Sequence, residues 1–253
     1  MYCTLHLSSI RTDSIQILFQ HDILKIDMSA MSAHKLTYFN IAGAAEKVRL
    51  AFHLNGIAFE DERINFEQWK DIKPTTKFGQ VPMLVLPDGM EMAQSLAMMM
   101  YVARLNPSSG SYPADPVAAM RVDEMIGLAQ DFDKSVLPSL YLNMMPAMFG
   151  FPADWPKTPE GQAQVKAVRE DFVANKLPER VAHYVRALET TGSFLCGDTP
   201  TIADCYVFAQ LKSITKGVMD HIPTTCLDEY PAIQAWMARF AAIPAIESYL
   251  APK

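Results

Sequence analysis

A chain of 253 residues, half of them apolar, is long enough to bury a sizeable core and to divide into one large domain or two smaller ones. Its 22 Lys and Arg against 28 Asp and Glu give a net charge of -6, which excludes a basic footprint for nucleic acid or for an anionic membrane surface. No apolar run approaches the roughly 20 residues that span a bilayer, and Cys3, Cys196, Cys205 and Cys226 form no C-x-x-C pair or Cys/His grouping suited to zinc, so the expectation is a cytoplasmic protein without a metal site.

Residues 1–34 read as an extension of unknown role, poorly ordered and without the charged start and apolar middle of a secretory signal. Apolar positions in 15–26 suit a short helix, Asp13, Asp22 and Asp27 argue against an arginine-rich transit peptide, and Met28 and Met31 are alternative starts. From Lys35 the pattern sharpens. A β-rich run at 36–39 precedes a helical spacing of Val48, Leu50, Ala51 and Leu54 within 44–55, which Gly56 stops. A second extended run covers 58–64, a polar segment follows to Lys77, and runs at 81–86 and 90–92 flank Pro87-Asp88-Gly89 as a hairpin. Gln94-Ser95 opens a helical run to Leu105, and 106–111 reads as a linker.

Beyond Pro113 the chain is helical, at 116–150, 159–191, 201–217 and 229–250. Thr201-Ile202-Ala203-Asp204 has the spacing of a capping box, a helix start with no catalytic role. A small α/β domain at 35–110 therefore precedes an all-α domain at 113–253.

Three local features bear on chemistry. In Phe78-Gly79-Gln80-Val81-Pro82 a proline meets an apolar strand, either as a plain turn or as a cis X–Pro bond whose neighbouring amide faces a peptide-like ligand. Gln94-Ser95 stands at a strand-to-helix junction, where first-turn N–H groups hold a carboxylate or the serine simply caps the helix. Trp69 and Lys73, four apart, share a face if their segment is helical, as a ligand wall or as an ordinary surface pair.

Taken in order, Tyr38, Trp69, Lys73, Val81-Pro82 and Gln94-Ser95 resemble the cytosolic glutathione transferases, and within them the sigma-like class that includes prostaglandin D synthases and S-crystallins. The resemblance runs from about Lys35 to Lys253, with Tyr38-Phe39-Asn40, Gly43, Glu46, 61–64, 78–82, 93–97 and Tyr101 in the sigma-like spacing. It implies a thioredoxin-like α/β domain followed by an all-helical one, with glutathione as co-substrate. Tyr38 matches the tyrosine that hydrogen-bonds the glutathione sulfur and favours the thiolate. A free thiol of pKa about 8.5 is only about 3% ionised at pH 7, and ~2.7 kcal/mol of preferential stabilisation raises that to about 75%.

The resemblance also implies that Trp69, Lys73, Gly79, Gln80, Val81, Gln94 and Ser95 hold the tripeptide, and that Asp131 reaches the γ-glutamyl amine from the partner subunit of a homodimer. Metal is not expected at that interface, since the acids some relatives use there correspond to Gly127 and Gln130. A small hydrophobic electrophile would lie against Leu140, Tyr141, Met144 and Met145, with Met148, Phe149 and Trp155 nearby, although any one of them taken singly reads first as a core residue. The pattern departs at Ala42 and Ala44, where sigma-like enzymes carry arginines beside the thiol, and at Met100, where an arginine is usual. The expected function is glutathione conjugation or isomerisation of small electrophiles; the alternative is a glutathione-binding protein of low activity, as S-crystallins are.

Overall fold

The computed structural model describes residues 33–252, so the expected extension, up to residue 32, lies outside the described residues. Strand β1 (His34–Phe39) is central in a four-stranded sheet of order β2-β1-β3-β4. It pairs in parallel with β2 (Phe59–Ile64), Tyr38 opposite Arg63, and antiparallel with β3 (Met83–Val85), which pairs antiparallel with β4 (Glu91–Ala93). A parallel pair needs a crossover, and α1 (Glu46–Leu54) supplies it. Val48, Leu50, Ala51 and Phe52 are fully buried, as are Leu36 and Leu84 of the sheet. Helix α3 (Ser95–Leu105) packs beside α1 and buries Met98, Met99 and Val102, which assigns the Met98-Met99-Met100 run largely to core packing.

The helical part comprises α4 (Pro116–Met144), α5 (Pro159–Asp171), α6 (Leu177–Thr191), α7 (Ile202–Ile214), α8 (Pro231–Ala241) and α9 (Pro244–Leu250). Helix α7 is the hub: it touches α1, α3, α4 and α8, and every residue from Ile202 to Phe208 is buried. Its start is fixed by Asp204, whose carboxylate accepts from the N–H of Thr201 (2.8 Å), the N–H of Leu195 (3.0 Å) and the indole N–H of Trp236 (2.9 Å). The capping signal thus does more than cap: it ties three segments to one buried acid.

Element boundaries differ from the sequence expectation where proline and capping chemistry intervene. The helix expected over 116–150 stops at Met144, with Pro146 opening a separate short turn, and the one expected over 229–250 breaks at Pro244, where no N–H is available to continue the ladder. The helix expected over 201–217 ends at Ile214. Conversely, the polar segment before Lys77 contains α2 (Phe66–Ile72), started by an Asn65/Gln68 capping box. The turn at Gly43–Ala45 is a 3-10 turn, and α1 proper begins at Glu46.

One cation is folded into the junction of α1 with α7. Lys47 is 9% exposed, and its ammonium lies 4.3 Å from the centre of the Tyr206 ring. Burial pulls its pKa below the ordinary lysine value, against the opposing attraction of Asp133. A depressed lysine is protonated more readily in the unfolded chain, so its penalty is fully present below the folded pKa and disappears as pH rises to the unfolded value near 10.5. Lys47→Met is therefore expected to raise the melting temperature at neutral pH by about 2–4 °C. The gain should shrink as pH rises through that window, and thermal unfolding at several pH values checks both signs.

Candidate active site

Tyr38 is the penultimate residue of β1, 9% exposed, with its hydroxyl reaching the turn that leads into α1. The backbone N–H of Ala44 donates to that hydroxyl oxygen at 3.2 Å. The approach depends on Gly43: its φ of +46 lies in the left-handed region, and a Cβ built there would stand 2.6 Å from the tyrosine oxygen. With an acceptor position of the oxygen occupied by Ala44, the hydroxyl proton is free to donate outward. Burial holds the Tyr38 pKa above its ordinary value; the Ala44 N–H and the Arg49 guanidinium pull down, the neighbouring Tyr141 pushes up, and the net effect keeps the hydroxyl protonated.

Arg49 is the buried cation beside Tyr38 that the sequence did not single out. It projects from α1 with no solvent exposure, and its guanidinium carbon lies 5.8 Å from the centre of the Tyr38 ring. Nη1 donates to the carbonyl oxygens of Ile41 (3.0 Å) and Ala42 (3.1 Å), and Nε donates to Asp61 at 3.0 Å. Glu46 stands 3.5 Å away and also accepts from the Tyr249 hydroxyl at 3.0 Å. The guanidinium therefore fastens the turn at Ile41 and Ala42 from beneath, to an acid on β2. The alanine-lined turn is not without positive charge: it comes from the helix that follows. The signal was a charged residue within an otherwise apolar run, with Glu46 and Asp61 available to pair with it.

The other residues singled out in the thioredoxin-like part converge on the same end of the sheet. The Val81–Pro82 peptide is cis. Gln80 and Gln94 meet side chain to side chain at 3.3 Å, joining this loop to the β4–α3 junction. Gln94 has a φ of +74, rare for a residue with a side chain, and Ser95 is the first residue of α3. Trp69 is half-buried on α2 and meets the edge of Phe39, next to Tyr38, at 6.0 Å between ring centres. Exposed Lys73, one turn on from Trp69, extends along Gly79, its Cε 3.9 Å from where a Cβ on that glycine would lie.

On the helical side, Leu140 and Tyr141 are half-buried near the end of α4, and Tyr141 is close enough to Tyr38 to affect its ionisation. Met144, Met145 and Met148 are exposed, at 60%, 49% and 57%, while Trp155 stacks on Phe151 at 3.8 Å. Asp131 lies on α4 paired with Lys134 at 2.8 Å, which holds its carboxyl below the ordinary range; within one chain nothing brings it to Tyr38. Among the described residues no group of three or more His, Cys, Asp and Glu side chains is arranged to hold a metal ion.

Comparison with known proteins agrees with this architecture on both halves. Residues 34–104 match the family glutathione S-transferase, N-terminal domain, and residues 154–253 match glutathione S-transferase, C-terminal domain. The chain is 40% identical over 226 residues to glutathione S-transferase 1 of Ascaris suum, covering 85% of this chain and all of that protein. It is 31% identical to hematopoietic prostaglandin D synthase of Gallus gallus, over 87% of this chain and 96% of that one. Among solved structures, prostaglandin synthase D of Nilaparvata lugens superposes with a TM-score of 0.69 at 26% identity, covering 86% of this chain and 96% of that one. With its α/β half and its helical half both matched, and with relatives above 30% identity spanning nearly their full lengths, the chain belongs to the glutathione S-transferase family.

Proposed function

We propose that this glutathione transferase activates the glutathione thiol through Tyr38 and joins it to a small hydrophobic electrophile held between Tyr38 and the end of α4. The observation that carries this reading is the Tyr38 hydroxyl itself: protonated, buried, and oriented by the Ala44 N–H so that its own proton is available. Donated to the sulfur, that hydrogen bond stabilises the thiolate, the nucleophilic form. The thiol proton passes to solvent, the sulfur lone pair forms the new C–S bond, and a leaving group departs or a polarised double bond accepts the electrons. The site provides positioning and electrostatics in a partly dry cleft.

For the remaining residues the reading carries over the roles that the family resemblance implies, and their convergence on one end of the sheet supports it. Trp69 and Lys73 flank the glycyl end, Gly79, Gln80 and Val81 pair with the peptide backbone, and Gln94 with Ser95 receives the γ-glutamyl carboxylate at the start of α3. Leu140, Tyr141, Met144 and Met145 offer the electrophile an adaptable apolar surface. We assign the protein to the sigma-like class on its retained spacing and on its similarity to the chicken prostaglandin D synthase, and to a cytoplasmic, detoxifying role without metal. In the homodimer this implies, Asp131 of each subunit completes the site of the other. Exposed Phe78, Val117 and Met120 support such an interface as apolar surface without a partner in the monomer.

The second reading, a binding protein with little turnover, is favoured by Ala42 and Ala44 alone, and Arg49 beneath the turn weakens it. A glutathione-dependent conjugation assay with a panel of aromatic and unsaturated electrophiles, on full-length protein and on protein starting at Met31, decides between them. Turnover with at least one electrophile is the expected result; glutathione binding without turnover across the panel establishes the binding protein instead.

Gly43→Ala is expected to lower the conjugation rate by about ten-fold or more, because the new methyl must displace the tyrosine oxygen that the hydrogen bond requires. Steady-state kinetics check this, with glutathione affinity changing much less than kcat.

A further inference from the structure

Three methionines fall close together where α4 ends. Met144 is the last residue of the helix, Met145 caps it, and Met148 lies in the short turn Pro146–Phe149 that follows. All three are exposed, whereas Met98 and Met99 of α3 are fully buried. Among the described residues Met90, in the β3–β4 turn, and Met120, near the start of α4, are as open, but each stands singly. Only at the end of α4 do exposed thioethers form a group.

Their exposure is held by the backbone and is not that of a frayed end. The N–H of Met145 donates to the Tyr141 carbonyl oxygen at 2.7 Å, and that of Met148 donates to the Met145 carbonyl oxygen at 3.0 Å. The N–H of Phe151 closes the turn onto the carbonyl oxygen of buried Pro146 at 3.1 Å. Met144 and Met145 follow Tyr141 by three and four positions, so they extend the face of α4 that Tyr141 brings close to Tyr38.

Thiols compete with thioethers for the same oxidants, and among the described residues the thiols are withdrawn. Cys205 is fully buried, which pushes its thiol well up; burial likewise raises Cys226 and takes Cys196 to about 12. A thiol held protonated is a poor nucleophile toward a peroxide. A thioether has no proton to lose, so exposure governs its reactivity.

We propose that Met144, Met145 and Met148 are an oxidation site through which a peroxide lowers the affinity of the protein for apolar electrophiles, an inference that rests on the electrophile lying against this wall. The oxidant is hydrogen peroxide or an organic hydroperoxide. A sulfur lone pair attacks one peroxide oxygen, the O–O bond breaks, and proton transfer releases water or an alcohol while the sulfur is left as a sulfoxide. Each sulfoxide sets a strongly polar, hydrated oxygen on a surface that an apolar body must dehydrate in order to bind. The residues that one chain offers to glutathione stand on the thioredoxin-like half, so glutathione itself is held as before.

For the test, full-length protein is treated with hydrogen peroxide, the excess is removed with catalase, and affinities are measured for glutathione and for S-hexylglutathione, whose apolar tail probes the wall. Peptide mass spectrometry should find oxygen added at Met144, Met145 and Met148 while Met98 and Met99 stay unmodified. Affinity for S-hexylglutathione should fall by about three-fold or more, and affinity for glutathione should stay within about two-fold. Methionine sulfoxide reductases with a thiol reductant should restore the first value. Met144→Leu/Met145→Leu/Met148→Leu, whatever its starting affinity, should change by less than about two-fold on treatment, whereas Met90→Leu/Met120→Leu should respond as the wild type does. No oxygen at the three methionines, oxidised methionines with unchanged S-hexylglutathione affinity, or a triple leucine variant as sensitive as the wild type overturns the proposal. Untreated protein that binds S-hexylglutathione no more tightly than glutathione instead overturns the placement of the electrophile, so the two failures are told apart.

Discussion

Tyr38→Phe is expected to lower kcat for glutathione conjugation by about one to two orders of magnitude while leaving glutathione affinity within about three-fold. The substitution removes a single oxygen whose environment is arranged around it: the Ala44 N–H at 3.2 Å, the space left by Gly43 and the nearby Arg49 guanidinium. A hydrogen bond to a charged acceptor contributes about 1.5–3 kcal/mol, which is the source of the expected loss in rate. On the proposed function the tripeptide is held elsewhere, along Trp69, Lys73, Gln80 and Gln94, so binding should survive. The variant leaves the Ala44 N–H without its acceptor, but close to the protein surface, where water replaces it. Stopped-time rate measurements at saturating glutathione, together with equilibrium binding, separate the two effects. Equal kcat for variant and wild type would remove Tyr38 from the mechanism.

Arg49→Met is expected to cost about 3 kcal/mol of folding stability and to reduce kcat in whatever protein remains folded. Methionine retains the length and apolar stem of the side chain but removes its donors. The carbonyl oxygens of Ile41 and Ala42 then lose their partner, and the buried carboxylate of Glu46 retains only Tyr249. Asp61 is still held by Arg63 at 2.6 Å, which places the loss at the lower end of the range for breaking a buried ion pair. Against a total stability of about 5–15 kcal/mol for a typical domain this is a large fraction. Denaturant titration measures it, and a loss below about 1 kcal/mol would show that the turn is held by other means. Arg49→Lys should lie between the two, since it keeps the charge but not the planar fork that bridges carbonyls and carboxylate.

The legibility of this molecule in its sequence varied with the kind of interaction. Alternating and helical apolar patterns placed β1, α1 and the helical domain, because burial of Leu36, Val48, Leu50 and Ile202 is a local property of the pattern. Helix α2 is only seven residues long and none of them is buried, so its apolar Phe66, Trp69 and Ile72 made too short a pattern to stand out from the polar residues around them, and the Asn65/Gln68 capping box marks its start. The breaks at Pro146 and Pro244 were visible as prolines but not as ends, since Pro138 lies within α4 without stopping it. At the candidate site, Tyr38, Gln80, Gln94 and Ser95 were singled out by their resemblance to a family pattern, and the fold brings them to one end of the sheet. Arg49 was not, because its role depends on a carboxylate across the sheet and on two carbonyl oxygens of the preceding turn, and such pairings form only in three dimensions.

The central claim is that the Tyr38 hydroxyl makes the glutathione thiol acidic, and the most direct measurement is the ultraviolet thiolate absorbance of enzyme-bound glutathione as a function of pH. The thiolate should appear with a midpoint near 6.5 on the wild-type protein, compared with about 8.5 for a free thiol, and should return close to the free value in Tyr38→Phe. A bound thiol that titrates at the same pH in both proteins would contradict it.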